Sequence, residues 1–399
     1  MGRSELEELR REAERYGDLG DSAMERYLAG HGDVIETLAA EEANLLQALA
    51  TARAHRWWRA AVGCAQGLRT LYDHRGHRDR WARVVGSLVD DLVDPRTDGP
   101  RPGAEEQWSV VTGYRIQLAR NDRKYGLAAQ LARLRLAWNH DRAAGALATS
   151  PERRTDRDVD RIGSLAASHH ELGQILREQG SADCLTHYRQ AAGFDQQIGD
   201  AAAEARTWFN IGTAYLNVPA VRNLDQAERA YREAQRLIPA HDRKTLAGVL
   251  GQLGRIALER FFADVQSAAG QRRAQEHLAT ARALCQQALD LCPADATDDL
   301  ATGHNQLGVI EASAGNADAA LHHWQTTITY REQSDDRHGA GVARCNIALL
   351  LAQVPGYQAE ALAYARAALR DHEPYGAGAA ADIAKAQQLI GLLEPHVRR

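Results

Sequence analysis

The sequence of 399 residues predicts an all-α protein built from stacked helical hairpins. Three observations lead there. Alanine and leucine, both strong helix formers, abound, while β-branched runs are scarce and only 10 prolines interrupt the chain. A small residue returns at steps near 40 residues through the second half. No stretch of useful length alternates apolar and polar residues as a half-buried strand does.

Taken in order, helices are expected over about 4–30, 33–54, 57–73 and 77–94. The most Pro/Gly-rich stretch, DPRTDGPRPG (94–103), then breaks the pattern as a long loop or a hinge. Helical patterns resume over 104–120 and 124–147. SPERRTDRD (150–158) is a second polar break, in which Ser150-Pro151-Glu152 reads as a helix start. Paired helices follow from 159 to about 372, and 378–396 reads as a cap helix that closes an array against solvent. The expected organisation is an N-terminal helical repeat region (1–95) and a repeat array with its cap (104–399).

The repeat carries most of the information. Five segments align: HHELGQIL (169–176), WFNIGTAY (208–215), LGQLGRIA (250–257), HNQLGVIE (304–311) and RCNIALLL (344–351). Their small residues are Gly173, Gly212, Gly254, Gly308 and Ala348, at steps of 39, 42, 54 and 40. Each is followed by a second helix with small residues three and four apart, such as Ala227, Tyr231 and Ala234, or Ala320, Trp324 and Thr327. A small residue on one helix lets the other approach, and the large residue between fills the gap. One hairpin cannot bury its apolar face alone, so neighbours stack.

Trp208-x-x-Ile211-Gly212-x-x-Tyr215 with Ala227, Tyr231, Ala234 and Pro239 resembles the tetratricopeptide-repeat (TPR) consensus, with a three-residue insertion around Asn217–Arg222. The Gly308 repeat keeps Leu307, Gly308, Gly315 and Ala320 at standard spacing; the other three are more degenerate. The resemblance covers about 160–372 and implies a TPR-like α-solenoid of antiparallel hairpins forming a right-handed superhelix. It also implies that the first helix of each hairpin lines a groove. The groove positions would be His170, Gln174 and Arg177, then Arg206, Phe209, Asn210 and Thr213, then Gln252, Arg255, Asn305, Val309 and Asn346. Amides and guanidinium groups in a row hydrogen-bond a peptide backbone or an anionic group. The same residues also read as an ordinary wet helix surface.

Upstream, Glu42, Asn44-Leu45, Ala48-Leu49, Trp57, Tyr72, Arg75-Gly76 and Trp81 resemble the start of the helical repeats that follow the ATPase and winged helix of STAND-type signalling ATPases. Such regions act as sensors or autoinhibitory arms in bacterial regulators. No G-x-x-x-x-G-K-[ST] occurs, so the nucleotide engine of such a protein is not in these residues. The resemblance then implies a sensor arm on its own or cut from a longer protein.

No G-x-S-x-G, C-x-x-C or H-E-x-x-H is present, and Gln174 stands where His170-Glu171-Leu172-Gly173 would need a second histidine. The expectation is a non-enzyme with no cofactor. Sixteen histidines raise the question of a metal. His187 is placed to approach His170, and His304 to approach His323, but a site needs three or four converging ligands and none is expected. Cys64, Cys184, Cys285, Cys292 and Cys345 lack paired spacing and read as reduced core residues of a cytoplasmic protein. The start, MGRSELEELRREAERYG, has no apolar core of the signal-peptide kind, and no apolar run is long enough for a membrane.

Net charge is −5, yet 53–161 holds 21 Arg and Lys against 14 Asp and Glu, an excess of +7, which leaves −12 for the rest. That stretch is an arginine-rich solvated surface or a patch for nucleic acid. Trp57-Trp58 cannot both face one core stripe, so one sits at the surface or in a neighbouring interface. The expected function is a sensor or scaffold module whose groove takes a protein segment or peptide. A nucleic-acid-associated regulator using 53–161 is the second reading.

Overall fold

The structure, a computed structural model, describes residues 2–28, 31–266 and 270–397. The last two residues of the helix expected over 4–30, and residues 398 and 399 of the expected array, lie outside them. The described residues contain 18 α-helices and no β-strand; one isolated bridge joins Val93 and Pro100. No helix among them is long and apolar enough to cross a membrane. The chain divides into two compact units, Met1–Gly199 and Asp200–Arg399.

The first unit contains α1 (Arg3–Leu28), α2 (Val34–Ala40), α3 (Glu42–Ala54), α4 (Trp58–Arg75), α5 (Arg78–Leu92), α6 (Glu105–Asn121), α7 (Tyr125–Ala148), α8 (Asp156–Glu178) and α9 (Cys184–Ile198). α1 lies along α4, with α3 beside both. Gly17 and Gly20 meet Gly63 and Gly67 there: a methyl group on Gly63 would fall 2.6–2.8 Å from the backbone of Gly17. Backbone touches backbone at this crossing, which only glycine permits.

The helix expected over 33–54 breaks at Glu41, whose backbone leaves the helical region (φ −96°, ψ 6°). Its carboxylate accepts from the Tyr16 hydroxyl (3.2 Å) and the Asn44 amide (2.7 Å), so contact with α1 fixes the break. The 94–103 segment lies inside this unit as an ordered loop between α5 and α6. Trp108 Nε1–H donates to the Asp98 carbonyl (2.9 Å), and Arg115 pairs with the Asp98 carboxylate (2.8 Å). Ser150-Pro151-Glu152 does not start α8. It opens a single 3₁₀ turn, and the cap is Thr155, in a reciprocal capping box with Asp158.

The second unit is a run of hairpins: α10 (Ala201–Asn217) with α11 (Leu224–Leu237), α12 (Arg243–Val265) with α13 (Gln271–Leu291), α14 (Thr297–Ser313) with α15 (Ala317–Gln333), and α16 (Arg337–Leu351) with α17 (Gln358–His372). α18 (Ala380–Val397) follows and packs on α17. The insertion after Gly212 is a 3₁₀ turn at Pro219–Val221. The long 54-residue step reflects length: α12 and α13 have 23 and 21 residues, where α10 and α11 have 17 and 14.

The repeated small residues do what packing requires. A methyl group on Gly254 would lie 2.5 Å from Cys285 Sγ, and one on Gly308 2.5 Å from Trp324 Nε1. Gly173 stands in the same relation to Tyr188, at 2.8 Å, in the first unit. Tyr188, Tyr231 and Trp324 are buried. A buried aromatic of this size contributes on the order of 3 kcal/mol.

Candidate functional site

The first helices α10, α12 and α14 place a recess of about 200 Å³ in the second unit, closed on one side by the end of α13. Glycine makes it. Gly248 has no atom within 4 Å of where a methyl group would stand, and Gly251 has only Gln306 Oε1, at 3.8 Å. On α14, Gly303 is packed, since a methyl group there would stand 3.1 Å from Leu289 Cδ1. Around the recess stand the Phe209 ring, the amides of Gln252 and Gln306, the Asp299 carboxylate, the Thr302 hydroxyl and the Cys292 thiol. The site thus has an apolar wall, amide donors and acceptors, and one carboxylate.

Of the residues expected along a groove, Phe209 and Gln252 meet here. Phe209 is held by an edge contact with Tyr231 (5.3 Å). Arg206 is exposed on the same helix. Asn210, expected to face a groove, is buried and donates to the Arg206 carbonyl (3.1 Å). Thr213 donates to the Phe209 carbonyl (3.0 Å) and meets the Tyr231 hydroxyl (3.0 Å), which turns it toward the hairpin interior. Arg255 pairs with Asn217 (3.0 Å) and Glu259 (3.4 Å). Asn305 accepts from Asn346 (3.5 Å), an amide link between α14 and α16, and Val309 is half-buried among core residues. His170, Gln174 and Arg177 belong to the first unit, where Gln174 bonds His170 (3.0 Å) and accepts from Arg120 (3.3 Å). Arg177 is half-buried.

Gly248, Gly251, Gly303, Gln306, Asp299 and Cys292 were not foreseen. The signal was a second set of glycines on the helices that admit the partner helix, at Gly248 and Gly251 before Gly254 and at Gly303 before Gly308. Glycine mid-helix with nothing packed on it needs another reason than packing.

The histidines pair as two copies of one arrangement. His304 meets His323, Nδ1 to Nδ1 at 3.0 Å, as expected. His187 meets His169, also Nδ1 to Nδ1 at 3.0 Å, and not His170, which edges onto Tyr188 instead. One residue along a helix is a turn of about 100°, enough to swap the partner. Burial, then the neighbouring imidazole, depresses His169 to about 4, and the same causes bring His304 to about 4.

In the first unit Trp57 and Trp58 are both half-buried, and Trp57 stacks on His55 (4.7 Å). Both line a cleft of about 520 Å³ with Arg10, Arg56, Arg59, Glu14, Asp18 and Asp21, a balanced set of charges. Part of the positive excess in 53–161 is met by carboxylates outside that stretch: Arg80 pairs with Glu42, Arg120 with Glu178 and Arg135 with Glu171.

No protein-family model and no curated protein matches the chain. Among solved structures, a Rap protein complexed with Competence and Sporulation Factor aligns over 98% of this chain and 99% of its own, at 9% identity and a TM-score of 0.50. The fold is that of the TPR helical repeats. The C-terminal part of a TPR repeat-containing protein from Cytophaga hutchinsonii aligns over 79% of this chain and 98% of its own (12% identity, TM-score 0.39). A STAND protein with a TPR sensor, from Pyrococcus horikoshii, aligns over 93% of this chain and 55% of its own (14% identity, TM-score 0.42). At 9% identity the likeness to the Rap protein speaks to the fold alone, because function in such folds lives in the side chains grafted on them.

Proposed function

We propose that this chain is a non-catalytic binding module whose second unit takes an extended protein segment or peptide in the recess between α10, α12 and α14. The observation that carries this reading is the bare stretch of α12 at Gly248 and Gly251, which faces Gln306 of α14 and lies beside Gln252. A main chain needs close approach and alternating donors and acceptors, and a glycine-floored helix beside two carboxamides supplies both. Phe209 offers one apolar side-chain contact, and Asp299 favours a basic residue on the ligand. A volume of about 200 Å³ suits one or two side chains, so recognition is of a short stretch. The Rap protein of like fold was solved with a bound factor, which agrees with a binding role for such a scaffold. A place in bacterial signalling belongs to the same reading.

Selection of a displayed random-peptide library against the full chain tests this. Enriched peptides are expected to share an apolar residue beside a basic one, and to lose binding to a Gly248→Leu/Gly251→Leu variant that fills the recess. Peptides that bind this variant as tightly as the parent, or a library that yields no enrichment, would remove the recess from the account.

A further inference from the structure

A second site lies at the far end of the second unit, where three helices meet. His338 is in the first turn of α16, His372 is the last residue of α17, and Asp382 is the third residue of α18. One ligand atom from each lies within 4.8 Å of the others, and among the described residues this is the one place where three such groups converge. His338 Nε2 already meets Asp382 Oδ2 at 3.1 Å, and the two imidazoles stand edge to face at 4.9 Å. His372 is 1% exposed, and its Nδ1 is buried without any hydrogen-bond partner. Room for that ring comes from Gly341: a methyl group there would stand 2.8 Å from His372 Cε1.

From this convergence we propose that His338, His372 and Asp382 bind a divalent transition-metal ion of the zinc type, which clips the cap helix to the last hairpin. Two imidazoles and a carboxylate are a borderline donor set, which zinc accepts and which calcium and magnesium, seeking oxygen, do not. Around zinc, bonds of about 2.1 Å set tetrahedral ligands roughly 3.4 Å apart. The His338–Asp382 pair, at 3.1 Å, is close to that spacing, and a ligand atom of His372 lies within 4.8 Å of both. A buried imidazole nitrogen without a partner is unfavourable, and coordination through Nδ1 would relieve it. The C-terminal turn of α17 adds the negative end of a helix dipole beside the ion. Asp371, which also faces His372, is held by Arg344; Lys385 opposes binding, as do the positive N-terminal ends of α16 and α18. Three protein ligands leave a fourth position for water.

The ion would span the tight connection Glu373–Ala379, where Gly376 takes a left-handed φ of 51°. Zinc should therefore raise the melting temperature and shield this connection from protease. The test is calorimetric titration of the chelator-stripped full chain with zinc chloride in excess magnesium. Cobalt absorption would report the coordination number. One ion per chain is expected, with tetrahedral cobalt bands. Asp382→Asn and His338→Ala, both at half-buried positions, should weaken binding by more than about tenfold, the low end of what even an outer partner costs, with unchanged circular dichroism. His304→Gln, in the other imidazole pair, should leave it unchanged. The proposal is overturned if the parent takes up no zinc, or if Asp382→Asn and His338→Ala bind it as the parent does.

Discussion

Gly212 lies against the ring of Tyr231 so closely that a methyl group at 212 would stand 2.9 Å from three of its carbons. The ring is wholly buried and its hydroxyl is held by Thr213, so it cannot swing aside. Gly212→Ala is therefore expected to destabilise by about 2 kcal/mol, although alanine is the better helix former. Gly248→Ala, also mid-helix but with nothing near it, should stabilise by about 0.5–1 kcal/mol. Urea melts of the two variants check the opposite signs. Equal signs would mean that Gly212 is not a packing position.

At the α1/α4 crossing the obstacle is main chain, which gives way less than a ring. Gly63→Ala is expected to cost at least about 3 kcal/mol and to free α1, seen as faster amide exchange across Ala13–Ala23. Exchange at the parent rate would show that α1 does not depend on this contact.

These two glycine sets show how far the sequence could be read. Gly212 announced itself because Trp208, Tyr215, Ala227 and Tyr231 surround it at fixed intervals, and periodicity along one chain segment is visible without coordinates. Gly20 and Gly63 are 43 positions apart with no shared pattern, so nothing local pairs them. The same limit explains Glu41, whose break is set by Tyr16 on another helix, and the choice of His169 over His170, which rests on a rotation of one residue. For the candidate site, periodicity led to the helices that line the recess but not to which of their residues do. Phe209 and Gln252 reach the recess, while Asn210 and Thr213, next to them in the pattern, are turned inward by hydrogen bonds. His338, His372 and Asp382 are 34 and 10 positions apart on three helices, a spacing without any periodic signature.

The paired histidines give the fold a pH dependence of defined sign. Burial first, and charge from neighbouring groups second, holds His169, His187, His304 and His323 below the usual 6.5. The unfolded chain then binds protons more readily than the folded one. The stabilising contribution is complete above about pH 6.5 and is lost as pH falls through the window toward 4. A loss on the order of 2 kcal/mol is expected across it. Between pH 6.5 and 5, before the carboxylates titrate, the melting temperature should fall in the parent and fall less in His169→Gln/His304→Gln. Parallel curves would exclude the pairs as the cause.

Glu311 is a buried carboxylate held by Arg282 through both oxygens (2.5 and 2.9 Å) and by the Asn316 amide (2.7 Å). Burial works against its charge, but Arg282 and Asn316 outweigh this and keep its pKa below the ordinary value. Arg282→Ala strands that charge and should cost about 2 kcal/mol, the lower side for a buried pair because Arg282 is itself 41% exposed. Adding Glu311→Gln to Arg282→Ala should recover part of the loss. A double variant less stable than the single would contradict this.

Cys292 ends α13 at the wall of the recess and is half-buried, while the other four thiols are buried. Burial drives Cys64 and Cys285 up to about 12 and raises Cys184 and Cys345 as well. An alkylating dye offered to the native protein thus has one reachable sulfur, slow because burial and Asp299 raise its pKa too. The chain therefore carries a built-in attachment point for a fluorophore, and quenching or protection there would register an occupant without any engineered label.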